Sequence, residues 1–175
     1  MSDITTLLNE GDLRSIGNVS KVLRLVDDQP DLFHEVIQAM VNADPGIRMR
    51  ASDAVEKITR TKPDLLQAHK PFLLNEVMEQ NQQEVRWHVA QLIPRLDLSP
   101  QERSLAAGKL FAFLDDSSKI VQTNSLQALV DLAWEDDELF KQVKAEVERL
   151  VDTGSPAVSN RAGKLFHELD QPNDQ

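Results

Sequence analysis

Apolar and small residues recur along the chain at the spacing of an α-helix. An anchor residue is followed by apolar or small residues at +4, +7, +8 and +11, which together form one stripe on a helix. Five stretches carry this pattern: Ser15, Val19, Val22, Leu23 and Val26; Ile47, Ala51, Ala54, Val55 and Ile58; Val85, Val89, Leu92, Ile93 and Leu96; Val121, Ser125, Ala128, Leu129 and Leu132; and Val158, Ala162, Leu165, Phe166 and Leu169. Each stretch predicts an amphipathic helix that buries one face.

The five anchors are evenly spaced, at 32, 38, 36 and 37 residues from one to the next. Two-helix repeats have a period of about 40 residues. A second amphipathic segment lies between successive stripes, at 32–41, 65–78, 105–114 and 139–151. The pattern therefore predicts a single domain over 1–175, with helix-pair repeats near 12–43, 44–80, 81–116 and 117–153 and a capping helix at 154–170.

Residues that cap helices stand where the predicted helices begin. Asp44 and Ser155 each precede a proline, so their side chains are expected to accept hydrogen bonds from the first turn. Ser99 is followed by Glu102, which completes the sequence of a capping box. Pro94 is expected to kink its helix near the C-terminal end.

Two segments resemble the first helix of HEAT repeats. DPGIRMRASDAVEKI and QQEVRWHVAQLI each contain a polar turn, an aliphatic-arginine pair, small residues and an aliphatic finish. The resemblance extends over residues 12–169, although Gln122 and Ser159 stand where Arg48 and Arg86 stand in these two segments. It implies an all-α fold, a right-handed α-solenoid (α-α superhelix) of about four and a half HEAT-like, armadillo-like helix pairs, and a role in recognising proteins.

Composition narrows the possible partners and the compartment. The chain has 19 lysine and arginine residues against 29 aspartate and glutamate residues, a formal charge of −10. This charge argues against nucleic acid as a partner, because binding to a phosphate backbone rests on a basic face. The sequence has no cysteine, which indicates a reducing compartment such as the cytoplasm. It has neither a signal-peptide pattern nor an apolar stretch of the roughly 18 residues that span a bilayer, so no membrane partner is expected.

The sequence contains no motif that specifies a reaction, a metal site or a cofactor. The four histidines, at 34, 69, 88 and 167, form no HExxH pair, and the six glycines form no phosphate-binding loop. Paired carboxylates occur at predicted turns, where they are expected to cap helices rather than transfer protons. We therefore expect no catalytic residues and no cofactor.

A first candidate contact surface lies opposite the buried stripe. The residue two positions after each anchor is about 200° round the helix, so it should face solvent. Met49 and Trp87 occupy this position in two adjacent repeats, and Gln91 lies beside them. Because exposed tryptophan is typical of binding hot spots, these residues predict a contact on the convex face. The alternative is that Trp87 lies over a neighbouring loop or over the Pro94 kink.

A second candidate surface is the solvent side of a second helix. Ser104, Gly108 and Ala112 are small and lie four residues apart, so they are expected to floor a concave groove for a partner helix. The expected flanking residues are Asn75, Glu79, Gln142 and Arg149. The alternative is tight packing against a neighbouring helix of the same chain.

Charge is unevenly distributed along the chain. Basic residues cluster in one repeat, at Arg48, Arg50, Lys57, Arg60 and Lys62, and acidic residues cluster at Asp131, Glu135, Asp136, Asp137 and Glu138. This polarity could orient a partner or lead to self-association of two copies end to end. The alternative is solvated faces with local ion pairs.

These features predict a non-catalytic protein–protein interaction or scaffolding module whose partner is another protein or a peptide helix. The alternative is a HEAT-like enzyme or enzyme subunit, similar to bilin lyases or, with less support, to alkylpurine DNA glycosylases. A glycosylase needs a basic concave face lined with aromatic residues. The charge of −10 and the two separated tryptophans argue against it.

Overall fold

The computed structural model describes residues 3–10 and 17–170, and in these two ranges every regular element is a helix, with no β-strand. The ten α-helices described are α1 (Asp3–Asn9), α2 (Val19–Asp28), α3 (Phe33–Gln38), α4 (Pro45–Thr59), α5 (Lys70–Asn75), α6 (Gln83–Leu92), α7 (Pro100–Phe113), α8 (Lys119–Ala133), α9 (Asp137–Thr153) and α10 (Pro156–Asp170). Short 3-10 helices lie at Pro30–Leu32, Ala39–Val41, Pro63–His69, Val77–Glu79 and Ile93–Arg95. The expected all-α class is confirmed for the described part of the chain.

The predicted stripes are the buried faces of the helices that carry them. Every stripe position in α4, α6 and α8 and in the turn after α6 is buried. Leu23 in α2 and Phe166 in α10 are half-buried, and the anchor Ser15 lies outside the described residues. Burial of apolar surface contributes about 25 cal/mol per Å². The stripes therefore supply much of the stability of the helices that carry them.

The second helices of the first two predicted repeats are short. Segment 32–41 is the six-residue α3 with 3-10 turns on both sides, and segment 65–78 is the six-residue α5 after a seven-residue 3-10 helix. Pro71 is in the first turn of α5, where its ring prevents the helix from extending toward the N-terminus. The later segments form the longer helices α7 and α9. Proline explains only the short α5, because segment 32–41 contains no proline.

Two of the three predicted N-caps are present. Asp44 Oδ1 accepts from Gly46 N at 2.7 Å and from Ile47 N at 3.0 Å, and Ser99 forms the complete capping box with Glu102. The cap predicted at Ser155 is wrong: its Oγ is buried and has no hydrogen-bond partner among the described residues. At Pro94 the helix changes form, because α6 ends at Leu92 and a 3-10 turn follows.

The chain divides into two compact units, Met1–Asp97 and Leu98–Gln175. In the N-terminal unit, α4 packs against α1, α2, α3 and α6. In the C-terminal unit, α8 packs against α7, α9 and α10, and α9 and α10 also pack together. Each unit therefore has one helix at its centre. None of the described helices combines the length and the apolar character needed to cross a membrane.

Candidate functional site

A surface groove of about 280 Å³ lies between α7 and α9 in the C-terminal unit. Both helices pack on α8, which holds them side by side. The residues that line the groove are Ser104, Ala107, Gly108, Phe111, Asp136, Glu138, Leu139 and Gln142. Three of the predicted site residues, Ser104, Gly108 and Gln142, thus come together here.

The α7 side of the groove is open at its small residues. Ser104, Gly108 and Ala112 are all exposed, although Ala112 is one turn beyond the groove lining. A Cβ atom placed on Gly108 would meet nothing within 4 Å in the part of the chain that the structure describes. Tight packing within the chain therefore does not account for the glycine, and the space above it is free for another molecule.

One end of the groove is fixed by a buried arginine. Arg103 is on the buried side of α7, and its guanidinium pairs with the carboxylate of Glu135 in the turn between α8 and α9. Its Nη1 also lies 3.5 Å from the Glu135 carbonyl oxygen. The contact ties the start of α7 to the acidic turn, and it places Asp136 and Glu138 at the mouth of the groove.

The α9 side of the groove is acidic. Asp136 caps α9, since its Oδ1 accepts from Glu138 N at 3.1 Å and from Leu139 N at 3.0 Å. Glu138 is exposed and lies 3.7 Å from the Lys141 ammonium. The eight lining residues thus contribute two carboxylates and no basic side chain. The groove has a negative potential at this end.

Arg149 lies further along α9 and outside the groove lining. It is exposed and forms a bidentate salt bridge with Glu146, in which Nε donates to Oε2 at 2.8 Å and Nη2 donates to Oε1 at 2.5 Å. Hydrogen bonding to Glu146 raises the pKa of Arg149, and the charge of Asp115 at the end of α7 adds to the effect. Arg149 is therefore held by carboxylates of its own unit.

Asn75 and Glu79 belong to the N-terminal unit, where both are exposed. Asn75 is the last residue of α5, and Glu79 ends the 3-10 turn that follows it. Neither is among the residues that line the groove between α7 and α9.

The first candidate surface is less open than the helical pattern suggests. Met49, Trp87 and Gln91 are all half-buried. The Trp87 ring lies against the His88 ring with centroids 5.3 Å apart, and its Nε1 donates to His88 Nε2 at 3.2 Å. The faces of α4 and α6 opposite the stripe are therefore partly covered at these residues.

His88 is the most enclosed histidine of the described residues. Its Nδ1 lies 2.7 Å from the Glu84 carbonyl oxygen, so Nδ1 carries the proton and Nε2 accepts from Trp87. Burial lowers the pKa of His88, and the bond to Glu84 and the charges of Asp53 and Glu56 oppose this only in part. With both nitrogens engaged, His88 is a structural residue.

Two other histidines meet although they are far apart in the sequence. The ring centroids of His34 and His69 are 5.4 Å apart, and Phe33 contacts His69 edge-on at 5.6 Å. Burial and the nearby charge of His34 lower the pKa of His69. Across residues 3–10 and 17–170, no three histidine or acidic side chains are grouped so that they could hold a metal ion.

The basic side chains of the second predicted repeat form hydrogen bonds and ion pairs with residues of their own unit. Lys57 pairs with Asp53 at 2.8 Å, and Lys62 pairs with Asp27 at 2.6 Å. The remaining bonds are Arg48 to Gln82 at 2.7 Å, Arg50 to the Leu8 carbonyl at 2.5 Å, and Arg60 to Glu56 at 2.6 Å. These contacts favour local ion pairing over a free basic face.

Sequence reasoning missed an exposed aromatic residue. Trp134 is 36% exposed and contacts Phe140, with ring centroids 5.3 Å apart and the rings tilted by 53°. Leu105 and Ile120 are also exposed, at 45% and 51%. The exposure of Trp134 was predictable from the sequence. It lies thirteen residues after the anchor Val121 and therefore about 220° round the helix, away from the buried stripe.

Comparison of the chain with protein-family models and with curated proteins finds no match.

Proposed function

We propose that the chain is a non-catalytic protein–protein interaction or scaffolding module and that the groove between α7 and α9 is its binding surface. One observation carries the proposal: small residues at helical spacing, Ser104 and Gly108, line an open groove together with Gln142 from a different helix. Grooves of this kind accept the apolar face of a helix from a partner.

In this proposal the helix pairs stack as a right-handed HEAT-like solenoid. Support comes from the buried stripes, which recur in α2, α4, α6, α8 and α10 at nearly constant spacing. Helix pairs of this size bury their apolar faces only against neighbouring pairs. We place the module in the cytoplasm, because a chain without cysteine has no need of an oxidising compartment.

The apolar surface beside the groove supports partner binding. Leu105 is 45% exposed and lies on α7 three residues before Gly108 and seven before Ala112, so the three share one side of the helix. Phe111 and Leu139 contribute apolar surface to the lining. Exposed apolar side chains such as Leu105 beside a groove are typical of a contact region.

The experiment is an affinity pull-down from the protein's own host with matched baits. Gly108→Arg fills the groove, whereas Gly163→Arg adds the same side chain to α10, where a Cβ atom also meets nothing within 4 Å. We expect a protein that the wild type and Gly163→Arg recover and Gly108→Arg loses. If all three baits recover the same proteins, the groove is not the binding surface.

A second copy of the chain is a distinct outcome. Size exclusion with light scattering gives the mass of the wild type and of Gly108→Arg. If the wild type is a dimer and Gly108→Arg is a monomer, the groove binds a second copy of the chain. If the wild type is a monomer, the protein recovered in the pull-down is the occupant of the groove. Trp87→Ala in the same assay tests the first candidate surface.

A further inference from the structure

We infer that the groove between α7 and α9 accepts an amphipathic α-helix that carries lysine or arginine beside its apolar stripe. The inference rests on the proposed function and names the chemistry of the partner. It follows from the charge, the apolar lining and the dimensions of the groove.

The charge of the groove selects a basic partner. Asp136 and Glu138 line it, and no basic side chain does. The pair between Glu138 and Lys141 is weak, because their side chains are 73% and 74% exposed and exposed pairs contribute little to stability. Glu138 is thus available to a partner's cations, and Asp136 adds its negative charge while its Oδ1 caps α9.

The neighbouring residues do not cancel this charge. The turn between α8 and α9 continues as four acidic residues, 135–138, of which Glu135 is paired with Arg103. The N-terminus of α9 contributes about half a positive charge at the same place. Three carboxylates against half a charge and one weakly paired lysine leave the end of the groove negative.

The lining defines the apolar side of the partner. Ala107, Phe111 and Leu139 face the groove, and no side chain of the described residues lies within 4 Å of a Cβ atom placed on Gly108. From Ser104 to Phe111 the axis of α7 rises about 10 Å, which matches two turns of a partner helix. Apolar residues at i, i+3 or i+4, and i+7 of the partner would reach the floor.

A second copy of this chain is the alternative source of these charges. Some of its basic residues are bound within the N-terminal unit, as the pairs of Lys57 with Asp53 and of Lys62 with Asp27 show, whereas Lys21, Arg24 and Lys164 are exposed. Cations brought by a different molecule satisfy Asp136 and Glu138 without breaking such pairs. A separate basic helix is the occupant in this inference, and a second copy is the outcome that the mass measurement would reveal.

Two synthetic peptides test the inference with the full chain. One is an acetylated, amidated and fluorescein-labelled helix of about 18 residues, with leucine in the i, i+3, i+4, i+7 pattern and lysine elsewhere. The other has glutamate in place of lysine. By fluorescence anisotropy at about 0.15 M salt, the lysine peptide should bind at least about tenfold more tightly, and its affinity should fall as salt is raised.

Matched variants locate the binding to the groove. Asp136→Asn with Glu138→Gln removes two charges and keeps a side chain that can cap α9. Glu148→Gln with Asp152→Asn removes two charges from exposed positions at least ten residues beyond Glu138, about 15 Å along α9. The first pair should weaken binding of the lysine peptide about fivefold or more, and the second less than about twofold. Gly108→Arg should abolish binding, and Gly163→Arg should not.

The inference is wrong if the two peptides bind equally, if both charge pairs have the same effect, or if Gly108→Arg binds like Gly163→Arg. Circular dichroism of each variant establishes that it is folded. If the lysine peptide fails while the pull-down recovers a partner that Gly108→Arg loses, the proposed function stands and this inference falls. If the chain forms a dimer that Gly108→Arg dissociates, the groove binds a second copy and the inference also falls.

Discussion

Gly108 is a glycine that the fold of the chain does not require. It is in the interior of α7, where glycine destabilises a helix by roughly 0.5–1 kcal/mol relative to alanine. A Cβ atom would meet nothing there, and the same holds for Gly163 in α10. Natural proteins accept a loss of stability at sites that bind or react. The glycine is consistent with a groove floor kept low for a partner.

Alanine substitutions test this interpretation of the glycines. Gly108→Ala and Gly163→Ala should each raise the free energy of unfolding by about 0.5–1 kcal/mol in urea denaturation, because alanine restricts the unfolded chain and fits both sites. Gly154→Ala is the contrasting variant and should lower it, since its Cβ would lie 2.6 Å from the Leu150 carbonyl oxygen. A loss of stability in Gly108→Ala would mean that the floor of the groove is closely packed.

At the scale of the element, similar sequences begin helices in different ways. α7 and α10 both have serine followed by proline at their start. Ser99 Oγ accepts from Glu102 N at 3.3 Å, and the Glu102 carboxylate accepts from Ser99 N at 2.8 Å. α10 has no glutamate three residues after Ser155, and its serine Oγ is buried without a partner among the described residues. The local motif alone does not decide whether the cap forms.

The two serines should therefore respond differently to alanine. Ser99→Ala removes one half of the capping box and should lower the free energy of unfolding by about 1 kcal/mol. Ser155→Ala removes a buried hydroxyl with no hydrogen bond, so it should be neutral or stabilising. Thermal denaturation of both variants checks this. Equal losses would show that Ser155 caps α10 after all.

At the scale of the whole molecule, buried titratable groups make stability depend on pH. Burial lowers the pKa of His88 and of His69 below the ordinary value of 6.5. Burial alone would raise the pKa of Glu56, but hydrogen bonds from Arg60 and Arg95 lower it below 4.5. The histidines and Glu56 thus affect the free energy of unfolding in different pH ranges.

Stability should fall as the pH drops from 7.5 to 5. The unfolded chain takes up protons at its histidines near pH 6.5, whereas folded His88 and His69 are protonated only at a lower pH. Between these pH values proton binding stabilises the unfolded state, so the free energy of unfolding falls. Urea denaturation across this range should show a smaller fall for His88→Asn than for the wild type. His167→Asn, at an exposed site in α10, is the control and should keep the wild-type slope. Equal slopes in all three proteins would contradict the protonation assigned to His88.

What the sequence determined is local and periodic. Helical spacing and capping involve residues within a few turns of one another, so they are predictable from the sequence. The predictable features were the stripes of α4, α6 and α8, the helix starts at Asp44 and Ser99, and the small-residue side of α7. The backbone hydrogen bonds of a helix join residues four apart, so helix formation is decided over the same short range.

Only the tertiary structure decided which surfaces are open. Four features depend on contacts between separate elements. They are the half-buried state of Trp87, the hydroxyl of Ser155 that has no hydrogen-bond partner among the described residues, the contact of His34 with His69, and the acidic end of the groove next to Arg103. A repeating pattern indicates that a face is buried or exposed on one helix. It does not say which neighbour covers that face, because packing depends on how helices far apart in the sequence are placed.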